Sequence, residues 1–479
     1  MKIIKILLNL AIVAALLAFG CGQGGEKLTT KSKEAVAEYK RGKEAADKLY
    51  FEEAAEYFGN AVELDPQFAV AYSRLSSALQ NLGDEAKARE HQARALSLMK
   101  DERGKVRVTE KERLFIVIQD AYLQDDFAKA RSAIDRWVHI YPKDYEAHAF
   151  LGMEHQRMED HDEAILAYER TVKLQSDYAP AYNSLGYLYI AKGDFDRAME
   201  NLKKYKDMVP DQANPYDSMG ELEQARGRYR EAIKYYQKAR EINPDLSFVL
   251  HHLGEVHRIQ GQYARAIEYF IEAAEKAPGP EAEADSRLFL AYSYMRRGDL
   301  RQALTEAMRA MELNPRSPDA HFYLGLVHVA RGDVKAAMTA AEQLDELLVR
   351  RNLKRYRMDR IWHHLMGEIH LARHDYQMAI ESHQRAVDLT PNPLYRDFYL
   401  HALGNAYYRA GRLEEAISPL EKVLIQNHNH ADCLYTLALI YKDKGEMRLA
   451  KECVSRFKKV FGDADEGVEW VEKVEKMKF

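Results

Sequence analysis

The sequence is poor in the residues that staple, break or polarise a fold. Three cysteines among 479 residues are too few to cross-link a chain of this size. Thirteen prolines and 25 glycines leave no room for long flexible linkers. Lys plus Arg (70) nearly balance Asp plus Glu (75). That leaves no global electrostatic reason to bind nucleic acid, and no nucleic-acid partner is expected. Gly-rich phosphate loops, HExxH and CxxC motifs are all missing, so no cofactor is expected. The longest apolar run, residues 6–19, is short for a membrane span and is interrupted by Asn9. What remains is a composition with 47% hydrophobic and 30% charged residues, typical of a folded body.

The apolar run follows Lys2 and Lys5, the arrangement of a signal peptide. Gly20 and then Cys21 come next, which resembles the bacterial lipobox, with Ala18 where leucine is usual and Phe19 where a small residue is usual. The resemblance implies cleavage before Cys21 and acylation of it, giving more than the two chains that stable anchoring needs. Gly22 in the next position implies the outer membrane of the bacterial cell envelope, with the body facing the periplasm. The expected organisation is a signal peptide over residues 1–20 and a lipidated cysteine with a flexible tether over 21–34. A repeat array over 35–463 and a capping helix over 464–479 complete it.

The array is marked by an alanine that recurs at Ala54, Ala88, Ala130, Ala164, Ala198, Ala232, Ala266, Ala303, Ala337, Ala379, Ala416 and Ala450. Seven of the eleven intervals are 34 residues. Twelve residues before it stands a small residue in every case but Ile118, and twelve residues after it proline recurs. Gly83, Gly193, Gly227, Gly261, Gly298, Gly332, Gly411 and Gly445 recur five residues before the alanine, where a left-handed residue ends a helix. The spacing breaks near residues 100–113 and 350–358, and after Pro278 and Pro391, predict loops or lengthened helix ends. Thr109 and Glu112 have capping-box spacing, so a helix is expected to restart there. Residues 467–479 carry Val468, Val471, Val474 and Met477 on one side, as a helix covering the last open face would.

These features resemble the tetratricopeptide repeat, a 34-residue pair of antiparallel helices. In one repeat the family's large and small positions are filled by Tyr182, Leu185, Gly186, Tyr189, Ala198 and Leu202, with Pro210 at the end and Tyr205 departing from the pattern. The resemblance implies an all-α fold, a right-handed α-solenoid of about twelve helix-turn-helix repeats. It also implies a concave groove lined by the first helices. Carried onto this chain, the groove residues are Asn183, Tyr187, Asp217, Glu221, Gln224, His251, Glu255, Arg258, Tyr292, Arg296, His364, Glu368, His401, Asn405, Tyr408 and Arg409.

Two histidine-rich stretches invite a metal reading. The repeat frame places His257 and His370 at a packing position instead. It sets His251 with Glu255, and His364 with Glu368, as i,i+4 neighbours able to hydrogen-bond, and no metal is assigned. Cys433 and Cys453 fall on the two helices of the last repeat, as buried thiols or as a bridge. The basic run Arg350, Arg351, Lys354, Arg355, Arg357 and Arg360 reads as a solvated helix extension, with anionic head groups or an acidic partner as the alternative. The acidic centre of the groove, Asp217, Glu221 and Glu255, suits a mixed or basic ligand segment. The expected function is a non-catalytic envelope scaffold. Its partners are other proteins in the groove and a membrane through the lipid. The alternative is an accessory subunit that recruits enzymes or handles polymer in a secretion or exopolysaccharide complex.

Cys21→Ala is expected to abolish incorporation of labelled fatty acid and to release the protein from the membrane fraction. Unchanged membrane retention of the variant would refute the anchor.

Overall fold

The computed structural model describes residues 28–477 except 102, 278, 391 and 392. The signal segment, Cys21 and most of the tether lie outside the described residues. The chain divides into two compact units, Met1–Pro142 and Lys143–Phe479.

The first unit holds three helical hairpins: α1 (Lys33–Ala46) with α2 (Phe51–Leu64), α3 (Ala69–Asn81) with α4 (Glu85–Leu98), and α5 (Glu110–Leu123) with α6 (Phe127–Ile140). Ser32 caps α1 by accepting from Ala35 N, so the helix starts just ahead of the expected boundary. The end of the expected tether is tied down. Thr29 donates from both its amide and its hydroxyl to Glu112 Oε1 at 3.0 Å, and Thr30 donates to Asp65. Glu112 also closes the expected capping box with Thr109. Ile118 and Trp137, large residues at normally small positions, are fully buried.

The second unit holds nine hairpins. They are α7 (Tyr145–Arg157) with α8 (His161–Leu174), α9 (Ala179–Ala191) with α10 (Phe195–Met208), and α11 (Asn214–Ala225) with α12 (Tyr229–Ile242). Next come α13 (Ser247–Ile259) with α14 (Tyr263–Glu275), α15 (Pro280–Arg297) with α16 (Leu300–Leu313), and α17 (Pro318–Ala330) with α18 (Val334–Arg350). The last are α19 (Asp359–Ala372) with α20 (Tyr376–Asp388), α21 (Pro393–Arg409) with α22 (Leu413–Gln426), and α23 (Ala431–Asp443) with α24 (Met447–Val460). A short helix α25 (Glu469–Glu475) follows. Among the described residues no helix is long and apolar enough to cross a membrane.

In seven hairpins a glycine of the first helix faces the side chain four residues after the marker alanine, while Gly325 faces Leu365 of α19 instead. A Cβ on Gly220 would lie 2.4 Å from the Tyr236 ring, and one on Gly254 2.6 Å from Phe270. Tyr236 and Phe270 are fully buried, and each such side chain is worth about 1.5–3 kcal/mol of burial. The turn between paired helices uses a positive φ in every repeat. Eight glycines provide it, and Leu49 (62°), Asp125 (55°), Glu159 (58°) and His374 (63°) take it without glycine.

The four spacing breaks are absorbed locally. Residues after α4 form a loop with a single bridge between Lys100 and Val106. The second break lengthens α18 and adds a 3-10 turn, Leu353–Tyr356, flanked by left-handed Asn352 and Arg357. The other two lengthen α15 and α21 to 18 and 17 residues. Two members of the basic run are held by carboxylates of the second unit. Lys354 meets Asp345 at 2.6 Å, and Arg360 meets Glu159 at 2.8 Å. Val468 and Val474 of the C-terminal segment are buried, and Val471 and Met477 pack against the same cluster. Cys433 and Cys453 are free and buried.

Gly220→Val is expected to destabilise the second unit by about 1–3 kcal/mol through overlap with Tyr236. His374→Gly, on an exposed left-handed turn, is expected to be neutral or to stabilise by up to about 1 kcal/mol. A lowered urea midpoint for the first and an unchanged or raised one for the second would verify both.

Candidate functional site

The sixteen groove residues all lie in the second unit, and the structure sorts them into two groups. The first sits on α9, α11 and α13. Ser218 Oγ donates to Asn183 Oδ1 at 2.9 Å, and Tyr187 donates to Glu221. Tyr236 donates to Gln224 Oε1 at 2.9 Å. His252, which the groove frame passed over, places Nδ1 2.8 Å from Asp217 Oδ1 and Nε2 3.6 Å from Glu221. Burial opposes charge on this ring, but the Asp217 and Glu221 carboxylates outweigh it and raise its pKa to about 9.

The second group surrounds a cavity of about 430 Å³. Glu255, Arg258, Tyr292, Arg296, His364, Glu368, His401 and Asn405 all line it. The helix spacing explains the convergence, since these positions repeat along the inner stripe of successive first helices. Arg258 donates to Glu255 Oε2 at 2.8 Å and lies 4.8 Å above the Tyr292 ring. Arg296 grips both oxygens of Asp432 at 2.8 and 3.1 Å, and lies 5.2 Å from the Trp470 ring.

The expected open groove is thus walled in. Asp432 comes from α23, 136 residues after Arg296. Turns of the middle repeats meet the ends of the last ones. Asn429 donates to Gly227 O at 3.0 Å, Asp465 N to Gly261 O at 3.1 Å, and Ala264 N to Asp465 Oδ2 at 2.7 Å. The successive hairpins turn far enough for the last two repeats and α25 to reach the inner face of α13 and α15. Nearest-neighbour repeat rules do not state that curvature.

Three of the sixteen stand apart from both groups. His251 approaches Ser286 Oγ at 2.6 Å and packs 5.3 Å from the Phe289 ring, while Glu255 is taken by Arg258. The i,i+4 pairing expected of His251 and Glu255 is therefore replaced by these partners. Tyr408 donates to Asp443 Oδ2 at 3.1 Å, and Arg409 is exposed. Glu368 lies 3.4 Å from His383 Nε2, so its near neighbour is on α20 rather than one turn back along its own helix.

Several cavity residues were not foreseen: Tyr229, Asp397, Phe398, His430, Asp432 and Trp470. Asp432 and Phe398 each stand 18 residues before their marker alanines, Ala450 and Ala416, three residues ahead of the register of Asp217, so extending the frame by one helical turn toward the start of the first helix would have found them. Trp470 lies beyond the repeats and carries no such signal.

The electrostatics of the cavity are divided. Burial acts to raise the pKa of Asp432, but Arg296 overrides it and holds the carboxyl well below its usual range. Burial pushes Glu368 and Asp397 up to about 7. Burial also lowers His401, and lowers His430 to about 4, so the cavity imidazoles are neutral at neutral pH. The result is a firmly ionised Arg–Asp clamp beside weakly acidic carboxyls and uncharged rings. That surface suits a polar anchor better than a densely charged one.

Profiles described as tetratricopeptide repeat match residues 69–101, 150–213, 211–278, 289–347, 357–424 and 431–457. The Photosystem I assembly protein Ycf3 of Synechococcus sp. (strain CC9605) is 35% identical over 78 residues, which is 16% of this chain and 44% of that protein. The chain therefore spans less than half the length of this curated relative. Among solved structures, the human IFIT1 dimer with PPP-AAAA aligns with a TM-score of 0.45 and 16% identity, over 92% of this chain and 96% of its own. Yeast Tom70 gives 0.42 and 16%, over 94% and 100%. The APC/C hetero-tetramer Cut9–Hcn1 gives 0.36 and 14%, over 92% and 96%.

The His252 network carries a pH signature. A free histidine titrates near 6.5 and this one near 9, so its stabilisation is complete below about 6.5 and is lost as pH rises through about 9. Urea midpoints of the wild type are expected to fall across that window by the equivalent of about 3 kcal/mol. His252→Gln should be less stable at pH 6 and nearly flat across the window. An equal slope in the variant would assign the effect elsewhere.

Proposed function

The chain belongs to the tetratricopeptide repeat family, and from that premise we propose that it is a non-catalytic scaffold of the bacterial cell envelope. It holds partner proteins on the inner face of its second unit. The carrying observation is that eight of the groove residues line one cavity together with an Arg–Asp clamp. The volume of about 430 Å³ lies in the range of pockets that take a small ligand or a few side chains. The occupant in this reading is a partner's anchoring side chains or chain end, while the rest of the partner runs over the surface. Mixed polar and aromatic walls, with Glu255 and Asp432 beside Tyr292 and Trp470, favour an anchor with an apolar body and a cationic or hydrogen-bonding tip.

The envelope address rests on the sequence: two lysines, a short apolar run, then Gly20 and Cys21. Acylation of Cys21 would hold the body at the outer membrane on the periplasmic side. A photo-crosslinking residue at Asn405, on the cavity wall, is expected to trap a discrete partner in cells. The same residue at Ile425, which is 81% exposed, is expected not to. Replacing Glu255 and Arg258 by alanine should remove the adduct with helical content intact. The same adduct from both positions, or its persistence in the double variant, would refute a partner held in the cavity.

A further inference from the structure

In seven hairpins the side chain four residues after the marker alanine seats against a glycine of the first helix. In six of them it is Phe58, Tyr168, Leu202, Tyr236, Phe270 or Leu420, and in α20 it is His383, while Gly325 instead meets Leu365 of the next hairpin. The imidazole sits against Gly367, where a Cβ would lie 2.4 Å from Cε1. His383 is fully buried, yet neither ring nitrogen has a hydrogen-bond partner. Glu368 Oε1 is 3.4 Å from Nε2 but out of hydrogen-bonding alignment. His364, one turn before Glu368 on α19, is 3% exposed, with Nδ1 also unpartnered and its ring 5.0 Å from that of His383.

Burying bare imidazole nitrogens in a slot that the other glycine-faced seams fill with Phe, Tyr or Leu is unfavourable unless something binds them. One donor atom from each of His364, Glu368 and His383 falls within 4.8 Å of the others. Two imidazoles and a carboxylate form the donor set of zinc sites that keep an open position. Both His364 and Glu368 line the cavity, so a fourth position would face it. A second triad of similar composition, Asp217, Glu221 and His252, differs in the decisive respect that its histidine is already engaged by both carboxylates.

We propose that His364, Glu368 and His383 bind a divalent transition-metal ion of the zinc class, with its fourth coordination position open to the cavity. Neither ring nitrogen of His383 nor Nδ1 of His364 has a hydrogen-bond partner, which leaves ring nitrogens available to a metal. The ion would tie α19 to α20 and give the cavity wall a Lewis-acidic atom for an oxygen, nitrogen or sulfur donor of whatever enters. The site stands whether or not the cavity takes a protein partner.

The test uses the full chain without a histidine tag, stripped with a chelator and titrated with Zn²⁺ by calorimetry, with metal content measured after dialysis. One zinc per chain is expected. His383→Phe puts into the slot the ring that Phe58 and Phe270 already seat over glycine. It should keep its helical content and weaken zinc binding by at least about 10–100-fold. Should that variant lose helical content, Glu368→Gln, at a half-buried position, decides by the same measurement. No stoichiometric zinc on the wild type, or undiminished binding in a folded variant, would overturn the proposal.

Discussion

The structure depends on how closely the two helices of each hairpin approach. A Cβ on the first helix would penetrate the ring or branched chain presented by the second at Gly42, Gly152, Gly186, Gly220, Gly254 and Gly404. Close approach lets a single side chain per repeat fill the seam, and the marker alanine keeps the opposite side of the seam thin. Within the second unit the contact recurs in near-constant register, and the inner faces of α13, α15, α19 and α21 line one cavity. Where the register slips, the excess residues go into longer helices or a turn.

The polar residues of that surface are organised by burial rather than by solvent. Arg296 and Asp432 lie far apart in sequence and meet in a partly enclosed place, where unpaired charge would be costly. Arg258 and Glu255 are matched in the same way, with an aromatic ring beneath the guanidinium. These contacts leave a cavity whose fixed charges are neutralised in pairs, while its imidazoles and two of its carboxyls stay weakly charged. Such a wall discriminates by hydrogen bonding and shape more than by long-range attraction.

Much of this was legible in the amino-acid order. Periodic alanines, facing small residues and turn glycines define the hairpins, because every one of them answers to a local steric demand. The groove frame located Glu255, Arg258, Tyr292 and Arg296 because side-chain direction on a helix follows from spacing alone. Asp432 stands on a first helix to which the frame was not extended, whereas its meeting with Arg296, and the place of Trp470, depend on curvature summed over several repeats, which no single repeat encodes. The pairing expected between His251 and Glu255 failed because neighbouring helices offered Ser286 and Phe289 to one, and Arg258 bound the other. Leu49 and His374 show the limit of composition, since the backbone imposes a left-handed turn even where glycine is lacking.

The Arg296–Asp432 clamp has a consequence for the order in which the protein is made. The ribosome releases Arg296 well before Asp432, 136 residues later, a delay of roughly 7–27 s at ordinary elongation rates. During that time the middle hairpins can pack, since their contacts are local. Their inner face, however, stays open, with an unmatched arginine and no Trp470 above it. Closure is therefore among the last events in the life of the nascent chain. A polypeptide interrupted before its final repeat would present to the surrounding solution an interior that the finished protein keeps covered.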